Sequence, residues 1–130
     1  MSADYKHPQQ AALAAGVLGL GLALPPAALQ QMLRYLDELK KWNGAYNLTA
    51  VRDPDEMVTR HLLDSLTLLP HVSGQGSRIS HLLDGGSGAG LPAFPLAIAA
   101  PELRVVALDS NGKKARFMRH AQRNLGLNNL

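Results

Sequence analysis

The run LLDGGSGAGLPAFPLAI (82–98) constrains this chain more than any other stretch. An apolar segment ends in an acid, Asp84, glycines recur at 86, 88 and 90, and a second apolar segment follows at once. Glycines after a buried strand let a ligand approach the backbone, since a side chain there would occupy its space. The start of the next helix offers free N–H groups and partial positive charge to an anionic group. A lone loop of this kind is equally well a plain turn, so the flanking segments decide. Ile79 to Leu83 reads as a short buried strand and Leu91 to Ala100 as a helix with Pro92 and Pro95 in its first turn. Leu103 to Leu108 reads as a second strand ending at Asp109, and Ser110 as the cap of a helix from Asn111 to Leu125 that Gly126 stops. Strand, glycine turn, helix, strand, acid, helix is the opening of a parallel α/β domain. Two parallel strands are few for an open sheet, and Leu127 to Leu130 reads as the start of a third. The expectation is a Rossmann-like fold truncated before its sheet is complete.

The first half has a different grammar. Leu29, Met32, Leu33, Leu36 and Leu39 recur at spacings of three and four after Pro25-Pro26, predicting an amphipathic helix to about Lys41 with Gly44 as its stop. DPDE (53–56) predicts a second helix start, with Asp53 capping, Pro54 in the first turn and Glu56 at capping-box spacing, the helix running to Pro70. HVSGQGS (71–77) reads as a connector. The chain thus divides into a helical region, 1–76, and the start of an α/β domain, 77–130. AALAAGVLGLGLAL (11–24) resembles a signal-peptide core, but lacks a clearly positive flank or cleavage site and is too short to span a bilayer as a helix. A short surface helix ending near Gly16 or Gly19 is the better account, with no membrane partner.

The absence of cysteine removes disulfides and thiolate metal sites, and suits a reducing cytoplasm. The five histidines are scattered with no metal-ligating pair, so no metal is expected. The net charge of +3 is unevenly placed, since residues 101–130 carry six Lys and Arg against Glu102 and Asp109. Within the last helix Lys113, Arg116, Arg119, His120 and Arg123 fall in a third of the helical wheel. That face is either an ordinary solvated surface or a stripe that tracks phosphates. Trp42 and Tyr46 read as core rather than as base-stacking platforms.

The glycine pattern also bears on the ligand. A dinucleotide fingerprint needs G-x-G-x-x-G, and from Gly86 and Gly88 its third glycine would fall on Leu91. The observed pattern is G-x-G-x-G with Asp84 ahead of it, and Asp109 stands 19 residues beyond Gly90, where an acid reaches ribose hydroxyls. Together these fit S-adenosylmethionine better than a dinucleotide. The plainer roles are a loop cap for Asp84 and a helix N-terminal acid for Asp109.

Three blocks, KWNGAYNLTAVRDPDEMVTRHLLDS (41–65), LLDGGSGAGLP (82–92) and LDSNGKKARFMRHAQRNLGL (108–127), resemble the glucose-inhibited division protein B family. These are the bacterial 16S ribosomal RNA guanine-N7 methyltransferases, and the match is in register from about Leu29 onward. The resemblance implies a cytoplasmic enzyme that moves a methyl group from S-adenosylmethionine to N7 of guanine 527 in 16S RNA of the small ribosomal subunit. It implies cofactor contacts at Gly86 and Leu91, loop-shaping roles for Gly88 and Gly90, and a ribose contact at Asp109, beside the cofactor role that the residue pattern itself suggests for Asp84. Arg52, Arg60 and His61 would bind RNA or brace the helical region, beside Lys113, Arg116, Arg119 and Arg123 on the last helix. Gly85 stands where the family usually has an apolar residue, and is expected to raise the entropic cost of ordering the loop. Ala93 replaces a frequent glycine, and Ser80-His81 put polar groups into the first strand.

No catalytic base is expected. N7 of guanine carries a free lone pair, so the enzyme has only to align nucleophile, methyl carbon and sulfur. The expectations for the chain as it stands are little or no turnover and self-association through exposed strand edges. A non-catalytic RNA-binding or ribosome-assembly module with a relic loop is the alternative, and a dinucleotide oxidoreductase a distant third.

Overall fold

The computed structural model describes residues 7–72 and 80–130. Helix α1 (Gln10–Gly19) precedes α2 (Pro26–Tyr46), α3 (Pro54–Met57), a π-helical segment (Val58–Leu63), α4 (Asp64–Leu66) and α5 (Leu69–Val72). Strand β1 (His81–Gly85), helix α6 (Ala93–Ala99), strand β2 (Arg104–Leu108) and α7 (Gly112–Leu125) follow. This is the α/β class read from the sequence, helices first and then a β-α-β-α unit whose two strands pair in parallel.

Helix α1 ends at Gly19 and sends Leu13 and Val17 into the core, while Leu18 remains 77% exposed. Helix α2 runs past Gly44 to Tyr46, five residues beyond the expected end. A helical glycine costs only about 1 kcal/mol against alanine. Buried Asn43 compensates locally, because its Oδ1 accepts from the Thr49 amide at 2.9 Å and its carbonyl from Asn47 at 3.0 Å. Asn47, left-handed at φ 51°, ends the helix instead. Asp53 caps α3 as expected, but through the Asp55 amide at 3.2 Å. The expected connector is helical at His71 and Val72, and its residues 73–77, like Ile79, lie outside the described residues.

Strand β1 is half-covered rather than buried. Leu82 and Asp84 turn inward, whereas Leu83 is 67% exposed on a face it shares with Val106 and Leu108. The register sets Leu83 against Val106 and Gly85 against Leu108, so one face packs and the other stays open. Helix α6 begins at Ala93, two residues later than expected, with Pro92 as its cap. Asn111 rather than Ser110 caps α7, its Oδ1 accepting from Lys113 and Lys114 at 3.0 and 3.2 Å. Residues 127–130 form no strand, yet the Val105 amide donates to the Asn129 carbonyl at 2.8 Å. The Asn129 amide group donates in turn to the carbonyls of Ala97, Ala100 and Leu103. One position on the outer edge of β2 is therefore already paired.

Helix α2 is the central element. Met32, Leu33, Tyr35, Leu36 and Leu39 are buried against residues of α6 and α7 within one continuous cluster. The Tyr35 ring stacks on Phe94 at 5.0 Å and 17°, and its hydroxyl donates to the Ala89 carbonyl at 2.7 Å. A second ladder runs between antiparallel α2 and α7. Gln31 donates to the Leu125 carbonyl, Arg34 to that of Asn124, and Glu38 accepts from Asn124 and bonds His120. Tyr35→Phe should keep the ring stack while leaving the Ala89 carbonyl without its donor. A loss of roughly 1–3 kcal/mol in urea-denaturation stability is expected, and an unchanged midpoint would show that the bond contributes nothing net.

Candidate functional site

The loop from Gly86 to Pro92 joins the end of β1 to α6, and its shape follows from three glycines. Gly86, Gly88 and Gly90 have φ of 73°, 61° and 97°, a region that costs other residues about 1–2 kcal/mol each. Their surroundings differ. A Cβ at Gly86 or Gly88 would meet nothing within 4 Å, so the backbone lies open there, whereas one at Gly90 would overlap the Phe94 ring. Gly85 belongs to β1, paired with Leu108, and not to the flexible part of the turn. Ala93 is fully buried; Ser80, just before the strand, and His81, its first residue, are both exposed and bonded to each other at 2.9 Å.

Ser87, which sequence reasoning passed over, is the internal hub of the loop. It is buried, its amide donates to the Leu108 carbonyl at 2.9 Å and its hydroxyl to the Asp84 carbonyl at 2.7 Å. Its own carbonyl accepts from the amides of Gly90 and Leu91. A serine flanked by glycines was the available signal, since Ser bonds its neighbouring backbone in turns. Tyr35 was also missed, because helical periodicity marks it as core and says nothing of its hydroxyl.

The two acids stand in opposite environments. Asp109 accepts from the Gly88 amide at 2.7 Å on Oδ2 and from the Asn111 amide at 2.8 Å on Oδ1. Those two hydrogen bonds, Asn111 first, hold its carboxyl below the usual carboxylate range. Asp109 thus clamps the loop to the end of β2, and each oxygen keeps a lone pair for a further donor. Burial pushes the Asp84 carboxyl up. Its Oδ2 is buried and has no partner among the described residues. Leu91 is half-buried at the end of the loop, and its peptide bond to Pro92 is cis.

A cavity of about 340 Å³ lies beside β2 and α7, with Val106, Leu108, Asp109, Met118, Arg119 and Leu130 among its walls. A larger cleft of about 710 Å³ is lined from α1, α2 and the end of α6, and by none of the loop residues. The loop and its clamp, not the larger cleft, carry the polar groups with shifted ionisation.

The basic candidates fall into two groups. Arg52 is exposed and donates to Asn47 Oδ1 at 3.1 Å, and Arg60 is exposed on the π-helical segment. His61 is half-buried with Nε2 2.9 Å from Thr49 Oγ1, so it holds the 47–51 turn rather than pointing free. Burial pushes its imidazole below the ordinary value, which leaves it mostly neutral near pH 7. On α7, Lys113, Arg116, Arg119 and Arg123 are exposed opposite buried Phe117, Met118, Ala121 and Leu125. His120 is drawn out of that stripe by Glu38 at 2.8 Å and by Trp42, whose ring centroid lies at 4.6 Å. Among the described residues no helix is long and apolar enough to cross a membrane.

The family model described as rRNA small subunit methyltransferase G matches residues 28–130. A ribosomal RNA small subunit methyltransferase G of Alkalilimnicola ehrlichii is 56% identical over 119 residues, covering 92% of this chain and 52% of the relative. Its counterpart in Stenotrophomonas maltophilia is 55% identical over 130 residues, covering 95% and 57%. That of Pseudomonas paraeruginosa is 53% identical over 130 residues, covering 100% and 58%. The chain spans little more than half the length of these curated relatives. It belongs to the rRNA small subunit methyltransferase G family.

Two outcomes test this geometry. Gly90→Ala should destabilise the chain more than Gly88→Ala, because it adds overlap with Phe94 to the roughly 1–2 kcal/mol of left-handed strain that both share. Equal losses in chemical denaturation would refute the packing argument. For Asp84 the folded carboxyl holds its proton more tightly than the unfolded one. Its ionisation therefore takes stability away as pH rises from the unfolded value of about 3.8 through the raised folded value. Asp84→Asn should gain on the parent across that window, and a pH-independent difference between the two would sink the assignment.

Proposed function

We propose, with family membership as the premise, that this chain carries the cofactor loop and part of the RNA surface of an S-adenosylmethionine-dependent methyltransferase acting on N7 of guanine 527 in 16S ribosomal RNA. The observation that carries the cofactor reading is the open backbone at Gly86 and Gly88, held in place by Asp109. The unpartnered Asp84 Oδ2 at the root of the loop also suits a ligand bearing positive charge. Bound there, S-adenosylmethionine supplies an electrophilic methyl carbon on a sulfonium. The backbone at Gly86, Gly88 and Gly90 and the side chain of Leu91 would hold it, Asp84 would face its charge, and Asp109 would take ribose hydroxyls on its remaining lone pairs.

The same residues argue against a dinucleotide. A pyrophosphate needs several free amides at the loop and helix start. Here the Gly88 amide is directed at Asp109, and those of Gly90 and Leu91 at Ser87. Transfer to N7 asks for no proton removal, since that nitrogen presents a lone pair. The chain's part is to hold the loop rigid, keep Asp109 ionised and bring RNA to the loop through exposed cations, a positional form of catalysis. Arg52, Arg60, Lys113, Arg116, Arg119 and Arg123 are the cations available for phosphates.

Calorimetric titration with S-adenosylmethionine, using NAD as control, tests the cofactor reading. Binding of S-adenosylmethionine alone is expected, together with its loss in Gly88→Val, whose side chain would stand in the open space over the loop. Normal affinity in Gly88→Val, or binding of NAD instead, would overturn the assignment.

A further inference from the structure

We propose that Tyr46 and Trp42 at the end of α2, with Lys113 and Arg116 at the start of α7, form a subsite for one nucleotide of single-stranded RNA. This rests on the reading of RNA as the substrate and adds which groups take a base. The sequence reads both aromatics as core, and both pack against it, yet each stays half-buried at the junction of two helices. They meet edge to face at 5.1 Å and 79°. Phe117 and His120 support the Trp42 ring from α7, at 6.0 and 4.6 Å between centroids.

The cations are arranged around the outer ring. Arg116 Nη1 donates to the Tyr46 hydroxyl at 3.3 Å, and Lys113 Nζ lies over the face of the same ring, 5.9 Å from its centroid. Both cations are exposed, and neither is paired with a carboxylate among the described residues. Glu38, an acid of α2 directed at α7, is occupied by His120 and Asn124 one turn or more away. A ring whose face is covered only by the end of a flexible lysine, with a second unneutralised cation at its hydroxyl, fits a base that stacks in place of Lys113 while the two cations hold the phosphate beside it. Stacking on a protein ring needs a base free of its own pair, which selects single-stranded RNA.

Position ties this subsite to the loop. Asp109 directly follows β2 and holds the Gly88 amide, and Lys113 lies in the first turn of α7, which Asn111 caps. A nucleotide on Tyr46 would therefore flank the methyl acceptor and help to keep that stretch unpaired.

Trp42 is the single tryptophan and reports on the site directly. The chain would be titrated at low salt with a mixed-sequence oligoribonucleotide of about 12 nucleotides and with a blunt RNA duplex, following Trp42 fluorescence. Quenching by the single strand and weaker binding of the duplex are expected. Tyr46→Ala should lose about tenfold or more in affinity, and Tyr46→Phe should stay near the parent. Lys113→Ala and Arg116→Ala should each lower the salt slope by about one. If Tyr46→Ala does not fold, the Lys113→Ala/Arg116→Ala double variant decides on its salt slope. Strong RNA binding with no change in Trp42, with parent affinity in a folded Tyr46→Ala, or with an unaltered salt slope in the double variant would overturn the subsite alone. No RNA binding by the parent would overturn the RNA reading with it, while failure of the S-adenosylmethionine titration would leave this result standing.

Discussion

The hydrogen bond from Tyr35 to the Ala89 carbonyl is the contact on which the arrangement of this chain turns. Tyr35 is wholly buried, and burial pushes its phenol far above the ordinary value, so at any relevant pH it is a neutral donor. A buried hydroxyl without an acceptor would cost several times what a made bond contributes. The loop carbonyl supplies that acceptor at 2.7 Å. The stacked Phe94 ring is fixed between Tyr35 and the loop, and the space it takes is the space denied to a side chain at Gly90. One aromatic pair thus transmits the position of α2 to the glycine loop, at about 0.5–1.5 kcal/mol beyond its burial.

Around that anchor the loop satisfies itself. Ser87 bonds to both strands' ends and collects two amides of the turn, Asp109 collects one more, and the Gly90 carbonyl starts α6 through Phe94. A loop so bonded is ordered before any ligand arrives, and a ligand gains what it does not spend on ordering. The helical half contributes in the same manner. His61 holds Thr49, Thr49 accepts from the Val51 amide, and Asn43 accepts from the Thr49 amide, so the turn after α2 is built from side chains spread over 19 positions.

What the sequence disclosed was local. The glycine loop, the β-α-β-α order, the Asp53 cap and the Gly126 stop each depend on residues within a turn of one another, and each stands where it was expected. The errors arise where distant groups decide. Gly44 does not end α2, because Asn43, Trp42 and Tyr46 are held by Thr49 and α7. Strand β1 is half-covered because one face meets the helices and the other does not, which no five-residue pattern encodes. The acceptor of Tyr35 lies 54 residues away, and α7's His120 leaves the basic stripe for a carboxylate 82 residues earlier. Asp109 was legible as the acid at the end of β2, but its hold on the Gly88 amide belongs to the folded loop.

The two acids then explain the sign of the site. Their environments move them apart, Asp109 down through its amide bonds and Asp84 up through burial. Asp109 spends much of its negative potential on the loop's own N–H groups, while Asp84 keeps one oxygen buried and unanswered. The amides that an anion would seek are already directed at Asp109 and at Ser87. What the loop presents to a ligand is therefore open backbone with negative charge at its root, and what α7 presents is a row of exposed cations. On the function proposed above, complementary charge would draw a cationic small molecule to the first and a polyanion to the second. The two meet where β2 passes into α7: Asp109 holds both the Gly88 and Asn111 amides, and the first turn of α7 carries Lys113 over the Tyr46 ring at the end of α2.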